Sequence, residues 1–424
     1  MLAFAPLLLV ASTAGRALGR SIGAPAVLAA VESESTNFSS FWHNLEGSGY
    51  SVKVQSYEAA AATLKQGGDG IEHLIIFGSA AKSLPVELSP QRLSSLVNSG
   101  TNLLLALPPD SSETWRDFAR EFEVDIDDRG TQAIDHFAFD LDADDGSHTS
   151  LVLPLSDVPS PYLSPSTRNG PPIIFRGALH STGRSPLLNP ILSVPSTTYS
   201  AHVESQLEDL RSYGAHSTVV SAFQARNNAR VTFVGSTDLF TDDSARLPVR
   251  TSHQTYSKSG NSAFLKDIAR WTFGATGQRR VLSIEHKLAS GKLLNPQAYR
   301  VKDRVHYTLE VESTSESVPE DLQLEFTMLD PHLRIPLNNS VSELGKQRFE
   351  AEFTLPDRHG VFTIRVDHRR PGWSNLEAST VVSVTPPRHD EYERFIQGAA
   401  PYYGGALSVS IGALLFVFFW VLQS

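Results

Sequence analysis

Between Asp125 and His148 the chain gathers Asp125, Asp127, Asp128, Asp135, His136, Asp140, Asp142, Asp144, Asp145 and His148. Carboxylates in this density are hard oxygen ligands, and Asp140-Leu141-Asp142 has the spacing of the metal-holding pair of a nucleotide-sugar transferase. The reading preferred on the residues is a solvated acidic loop flanking a strand, because charge runs are usually solvated and nothing beside this one would bind a nucleotide. A second candidate is Gln224-Ala225-Arg226-Asn227-Asn228-Ala229-Arg230, a polar turn between two apolar strands. The bland reading is a surface connection. The side chains of Gln224, Arg226, Asn227 and Asn228 could instead contact a sugar or a neighbouring subunit through directed hydrogen bonds. Elsewhere the expected catalytic patterns are missing. The turns Gly78-Ser79-Ala80-Ala81 and Gly235-Ser236-Thr237-Asp238 carry neither a dinucleotide nor a Walker fingerprint, and the second reads as a helix N-cap with an acidic first turn. No nucleophile elbow or zincin pair occurs. The residues name no cofactor and no metal.

The elements that must position these groups change texture near Arg279. Before it, apolar runs at Ala26–Val31, Leu74–Gly78 and Leu103–Leu107 alternate with helical stretches such as Pro90–Asn98. Continuous apolar strands separated by amphipathic helices predict a parallel sheet covered on both faces. Residues 20–278 are therefore expected to form an α/β region, and the Pro- and Ser-rich stretch Pro154–Pro172 would divide it into lobes 20–155 and 172–278. After Val281 the period becomes two. Val305, Tyr307, Leu309 and Val311 alternate with polar residues, as do Leu322, Leu324, Phe326 and Met328, and Phe349, Ala351, Phe353 and Leu355. Residues 281–386 thus read as an antiparallel β-sandwich, joined by the linker 387–401 to an apolar C-terminal segment.

The stretch Ala406–Leu422 has no charged residue. With Tyr402–Gly405 it reaches the roughly 20 residues a bilayer requires, so 402–422 reads as a transmembrane helix with the tail 423–424 behind it. Gly404, Ser408 and Gly412 place small residues at i, i+4 and i+8, a face on which helices pack closely in lipid. At the other end, Leu2–Ala11 is too short to span and is succeeded by small residues, so 1–19 reads as a cleavable signal peptide. The bulk of the chain is then expected on the lumenal side. Asn37-Phe38-Ser39 and Asn338-Asn339-Ser340 are glycosylation sequons that fit this exposure. With 41% hydrophobic residues and no cysteine, the domains must stand on core burial alone, and a formal charge of −10 argues against nucleic acid as a partner.

Long stretches carry a family likeness. His73-Leu74-Ile75-Ile76-Phe77, Ala133-Ile134-Asp135-His136, Pro172-Ile173-Ile174-Phe175-Arg176-Gly177, Gln224–Val231, Leu322-Gln323-Leu324-Glu325-Phe326, Tyr392-Glu393-Arg394-Phe395-Ile396 and Pro401-Tyr402-Tyr403 occur in this order. In these the chain resembles the forty-eight-kilodalton subunit family of the eukaryotic oligosaccharyltransferase. The resemblance implies a non-catalytic, single-pass type I subunit in the endoplasmic reticulum membrane. It would belong to the complex that transfers a lipid-linked oligosaccharide to asparagine. Implied partners are the multi-span catalytic subunit, a ribophorin-II-like subunit and small membrane subunits, with the lipid-linked oligosaccharide as a further ligand. The absence of Cys and of tail lysines departs from many relatives, which points to retention by assembly. Two other functions fit the residues: a glycosyltransferase using Asp140 and Asp142, and a sugar-binding scaffold outside any complex.

Overall fold

The computed structural model describes residues 24–32, 36–66, 71–81, 83–202, 212–251, 254–314, 321–343, 346–391 and 396–423. The expected signal peptide and most of Tyr392–Ile396 lie outside them. The chain falls into two compact units. The first holds 1–280, 312–317 and 369–376; the second holds 281–311, 318–368 and 377–424.

The first unit is built on one mixed sheet. Its parallel half consists of β1 (Ala26–Val31), β2 (Ser51–Ser56), β3 (Ile71–Phe77) and β4 (Asn102–Ala106), ordered β2-β1-β3-β4. Alternate residues of β1, β3 and β4 serve opposite cores, while the edge strand β2 turns Val52 and Val54 to one of them. Val27, Ala29, Ile75 and Leu104 face one, while Leu28, Ala30, Leu74, Ile76 and Leu105 face the other. Strands covered on both sides need continuous apolar sequence, which is why these runs carry no polar alternation. Helix α1 (Ser39–Gly47) closes the first face with Phe41 and Leu45. Helices α2 (Tyr57–Lys65), α3 (Pro90–Ser99) and α4 (Glu113–Arg120) close the second with Tyr57, Leu93 and Trp115.

The next strands are β5 (Val124–Ile126), β6 (Gln132–Ile134), β7 (Leu151–Leu153), β8 (Ile173–Phe175), β9 (His180–Thr182), β10 (Leu188–Ser193), β11 (Tyr199–Ala201), β12 (Ser217–Gln224) and β13 (Arg230–Val234). β13 extends the parallel half beside β4, and then the direction reverses: β12 pairs antiparallel with β13, and β10 and β9 antiparallel with β12. The wholly parallel sheet expected from the sequence is thus corrected to a mixed one. The cause is local, since the short turn Ala225–Ala229 can join only antiparallel neighbours.

Residues on either side of Pro154–Pro172 share this sheet. β4 and β13, from either side of Pro154–Pro172, pair directly. Leu155, Val158, Tyr162 and Leu163 of that stretch are buried in the first core, so its prolines shape a packed loop rather than a linker. Close backbone approach fixes the join. A Cβ on Gly177 would lie 2.2 Å from the Gly235 carbonyl oxygen, so only glycine is accommodated there. Helices α5 (Pro165–Arg168), α6 (Asp242–Arg246) and α7 (Asn261–Thr272), with the hairpin β14 (Val249–Arg250) and β15 (Thr255–Tyr256), complete the unit. At Gly235–Asp238 the expected cap takes the form of a short 3-10 turn, where the Ser236 hydroxyl accepts the Leu239 N–H at 3.3 Å.

The second unit contains two sheets. One orders β16 (Arg279–Leu288), β18 (Arg304–Ser313), β22 (Lys346–Thr354) and β21 (Asn338–Glu343). The other orders β17 (Ala298–Arg300), β24 (Leu376–Thr385), β23 (Gly360–His368), β19 (Gln323–Thr327) and β20 (Pro331–Pro336). The period-two residues Val305, Tyr307, Leu309, Val311, Leu324, Phe326, Phe349 and Phe353 are buried, each strand turning one face inward. Phe326 of one sheet meets Phe353 of the other at 5.8 Å between ring centroids. Two readings change here. Met328 lies past the end of β19 and is exposed, and β17 pairs parallel with β24. Helix α8 (Ala400–Gln423) is exposed along its described length, and Gln397–Gln423 is long and apolar enough to cross a membrane.

Candidate functional site

The β12–β13 turn is held in place by its own amides. Gln224 Nε2 donates to the Trp373 carbonyl at 2.7 Å, and Asn228 Oδ1 accepts the Asn375 N–H at 2.7 Å. Asn228 sits at φ 67, a left-handed position that Asn tolerates better than most residues. Asn227 Nδ2 donates to the carbonyls of Val97 and Asn98 at 3.0 and 2.9 Å, satisfying the C-terminal end of α3. Three of the four side chains expected to contact a ligand therefore spend hydrogen bonds inside the chain. Arg226 is the exception: it is exposed and makes no hydrogen bond or ion pair among the described residues. It lines a groove of about 510 Å³ with Val97, Phe122, Leu187, Phe223 and Glu121.

Arg230, read from the sequence as part of the polar turn, is instead a fully buried member of β13. Its guanidinium donates to the carbonyls of Trp271, Thr276 and Gly277 at 2.6, 2.7 and 2.9 Å and lies 4.6 Å from the Trp271 ring centroid. Trp271 Nε1 in turn donates to the Gly372 carbonyl at 2.7 Å. Burial lowers the Arg230 pKa to about 10, which still leaves the side chain cationic at neutral pH. Its charge faces the Trp271 carbonyl at the C-terminal end of α7, where a cation is favoured. Sequence reasoning missed this role; the available signal was an arginine directly preceding the apolar run Val231-Thr232-Phe233-Val234, with no carboxylate nearby in sequence.

The acidic stretch divides into buried structural acceptors and solvated groups. Asp140 is fully buried: Oδ1 accepts the N–H groups of Asp142 and Ala143 at 3.0 and 2.7 Å, and Oδ2 accepts the Arg250 N–H at 2.7 Å. Asp142 is exposed and pairs with the Arg250 guanidinium at 3.1 Å. The two carboxylates are thus committed to shaping this loop against β14. Asp135 obeys the same logic, accepting the N–H groups of Phe137 and Ala138 and the hydroxyls of Thr197 and Thr198. Burial alone would raise its pKa, but these four donors outweigh it and hold the carboxyl below its usual value. Asp127 goes the other way. Burial raises it against the hydroxyl hydrogen bond from Ser212. The expected solvated loop is corrected to this extent: Asp135, Asp140 and Asp127 are buried, while Asp125, Asp128 and Asp145 are exposed. His136 bonds the Tyr199 hydroxyl at 3.0 Å and His148 pairs with Asp144 at 2.9 Å. Among the described residues no group of three or more His, Cys, Asp or Glu is arranged to hold a metal ion.

Gly404, Ser408 and Gly412 are exposed on α8, and the Ser408 hydroxyl bonds back to the Gly405 carbonyl at 2.8 Å, so the small-residue face is uninterrupted by a free polar group. Asn37 lies exposed beside α1, and Asn338 is exposed in β21.

Comparison with known proteins resolves what the geometry leaves general. The OST48 N-terminal domain matches residues 20–275 and the OST48 middle domain matches residues 285–424. The chain belongs to the OST48 family. The two matches meet at the change of texture near Arg279 and correspond closely to the boundary between the compact units. Among relatives of this OST48 chain, the protein of Drosophila melanogaster named dolichyl-diphosphooligosaccharide–protein glycosyltransferase 48 kDa subunit is 32% identical over 393 residues, covering 89% of this chain and 86% of that protein. The Arabidopsis thaliana protein of the same name is 32% identical over 397 residues, covering 91% and 90%. The Danio rerio one is 32% identical over 392 residues, covering 89% and 86%.

Proposed function

We propose that this chain is a non-catalytic, membrane-anchored subunit of an oligosaccharyltransferase complex, which transfers a dolichyl-diphosphate-linked oligosaccharide to sequon asparagines. The observation that carries the reading is the family match across both units, together with relatives named as the 48 kDa subunit of that enzyme. The non-catalytic part rests on the commitment of Asp140 and Asp142 to internal hydrogen bonds. A transferase needs carboxylates free to hold a metal and a pyrophosphate leaving group. The chain would sit in the endoplasmic reticulum membrane as a type I protein, with both units lumenal and α8 as the anchor. The two sheets of the second unit would form the β-sandwich expected from the sequence. Gly404, Ser408 and Gly412 would let neighbouring transmembrane helices of the multi-span catalytic, ribophorin-II-like or small subunits approach closely.

The test is assembly and its consequence. A tagged chain is expected to co-purify from detergent extract with a multi-span oligosaccharyltransferase subunit, and depletion in cells to lower sequon occupancy across many glycoproteins. A chain that purifies without such a subunit, and whose depletion leaves occupancy unchanged, contradicts the proposal and favours a scaffold outside the complex.

A further inference from the structure

The groove beside the β12–β13 turn has a floor and two rims of different chemistry. Phe122 and Phe223 form the floor, their rings edge to face at 4.9 Å between centroids, with Leu187 beside them. One rim presents the free Arg226 guanidinium. Another presents the exposed carboxylate of Glu121, which accepts the Ser94 hydroxyl at 2.7 Å and retains further lone pairs. The walls are fixed in advance, because Asn227 ties the turn to the end of α3 while Gln224 and Asn228 tie it to residues 373–375. A preformed groove loses little conformational freedom on binding.

We propose that this groove receives an extended peptide segment of a partner subunit that carries an acidic side chain next to an apolar one; this rests on the reading of the chain as a complex subunit. The apolar side chain covers Phe122, Phe223 and Leu187. The adjacent carboxylate takes the Arg226 fork, an arrangement that suits the planar geometry of both groups. Glu121 decides between this and an anionic lipid headgroup. Either anion meets the same repulsion from Glu121, but a peptide backbone also brings N–H donors that the Glu121 carboxylate accepts, and a phosphate brings none. The Asn227 amide donors are already engaged, which leaves the groove few directed hydrogen bonds for a free sugar. Arginine and aromatic residues, phenylalanine among them, are also enriched at protein–protein interfaces.

The experiment places a photo-crosslinking amino acid at position 98, on the groove rim, in the full chain expressed in cells and recovered with its complex. Light should join the chain to one other subunit, at a segment where Asp or Glu adjoins an apolar residue. Arg226→Glu should lower that yield about tenfold, Arg226→Gln by less, and reversal of the partner's acidic residue to Lys should restore it in the Arg226→Glu background. The proposal is overturned by a cross-link to lipid, to glycan or to a second copy of this chain. It is overturned equally by a yield that Arg226→Glu leaves unchanged, or by the lack of any cross-link while the complex is recovered intact. If the unsubstituted chain fails to co-purify with other subunits, the subunit reading falls and takes this one with it.

Discussion

Acidification from about pH 7 to about pH 4.5 should destabilise the first unit steeply, because two buried histidines fold in their neutral form. His73 is buried between the rings of Phe273, stacked at 4.6 Å, and Tyr50 at 5.7 Å, with Nδ1 3.2 Å from the Asn102 amide nitrogen. His180 is buried against the Ser221 hydroxyl at 2.9 Å. Burial lowers the His73 pKa from 6.5 to about 4 and that of His180 to about 3. Below 6.5 the unfolded chain binds protons that the native state excludes, and stability rises with pH wherever the unfolded state binds more. The contribution is therefore complete above 6.5 and is lost progressively as the pH falls toward 4 for His73 and 3 for His180. With nearly two protons at stake, the slope near pH 5 should be about 2.5 kcal/mol per pH unit. Urea titrations of the detergent-solubilised chain at several pH values measure it, and His180→Asn should reduce the slope by about half. A slope that His180→Asn and His73→Gln leave unaltered would show that the histidines are not its source.

Replacement of Arg230 should cost about 3–4 kcal/mol, since Arg230→Ala strands the buried carbonyls of Trp271 and Gly277 and the half-buried one of Thr276, removes the contact over Trp271 and opens a cavity. Arg230→Lys keeps the charge but not the fork, and one ammonium cannot reach the three carbonyls of residues 271, 276 and 277 in the same geometry; a loss of about 2 kcal/mol is expected. The midpoint of urea unfolding reports both. A loss below about 1 kcal/mol for Arg230→Ala would mean that solvent or relaxation satisfies those carbonyls in the variant.

How far each element was legible in the sequence depends on the range of the forces involved. β1, β3 and β4 could be read because a strand covered on both faces has no choice but a continuous apolar run, and the buried faces of β18, β19 and β22 because one-sided burial imposes a period of two. Tertiary partners leave no such local trace. β9 and β5 are only three residues long, and their place at the sheet edge depends on β12 folding back at Ala225–Ala229. β20 and β21 lie at the edges of the two sheets of the second unit, and their short, mixed sequences announce them only weakly. The burial of Asp140 is set by Arg250, a residue distant in sequence, and the run of neighbouring aspartates disguises it as a solvated loop. The polar turn at Gln224–Arg230 was legible as special but not as divided. Only contacts with residues 97–98, 271–277 and 373–375 show that Arg226 alone points outward while the rest hold the fold.

The measurement that bears most directly on a non-catalytic subunit is transfer by the isolated full-length chain. Purified in detergent and supplied with lipid-linked oligosaccharide, a sequon peptide and a divalent cation, the chain is expected to form no glycopeptide, while the complex recovered through the same tag forms it readily. Cation-dependent transfer by the chain alone, abolished by Asp140→Asn together with Asp142→Asn in protein that remains folded, would contradict the account and make the acidic loop a catalytic site.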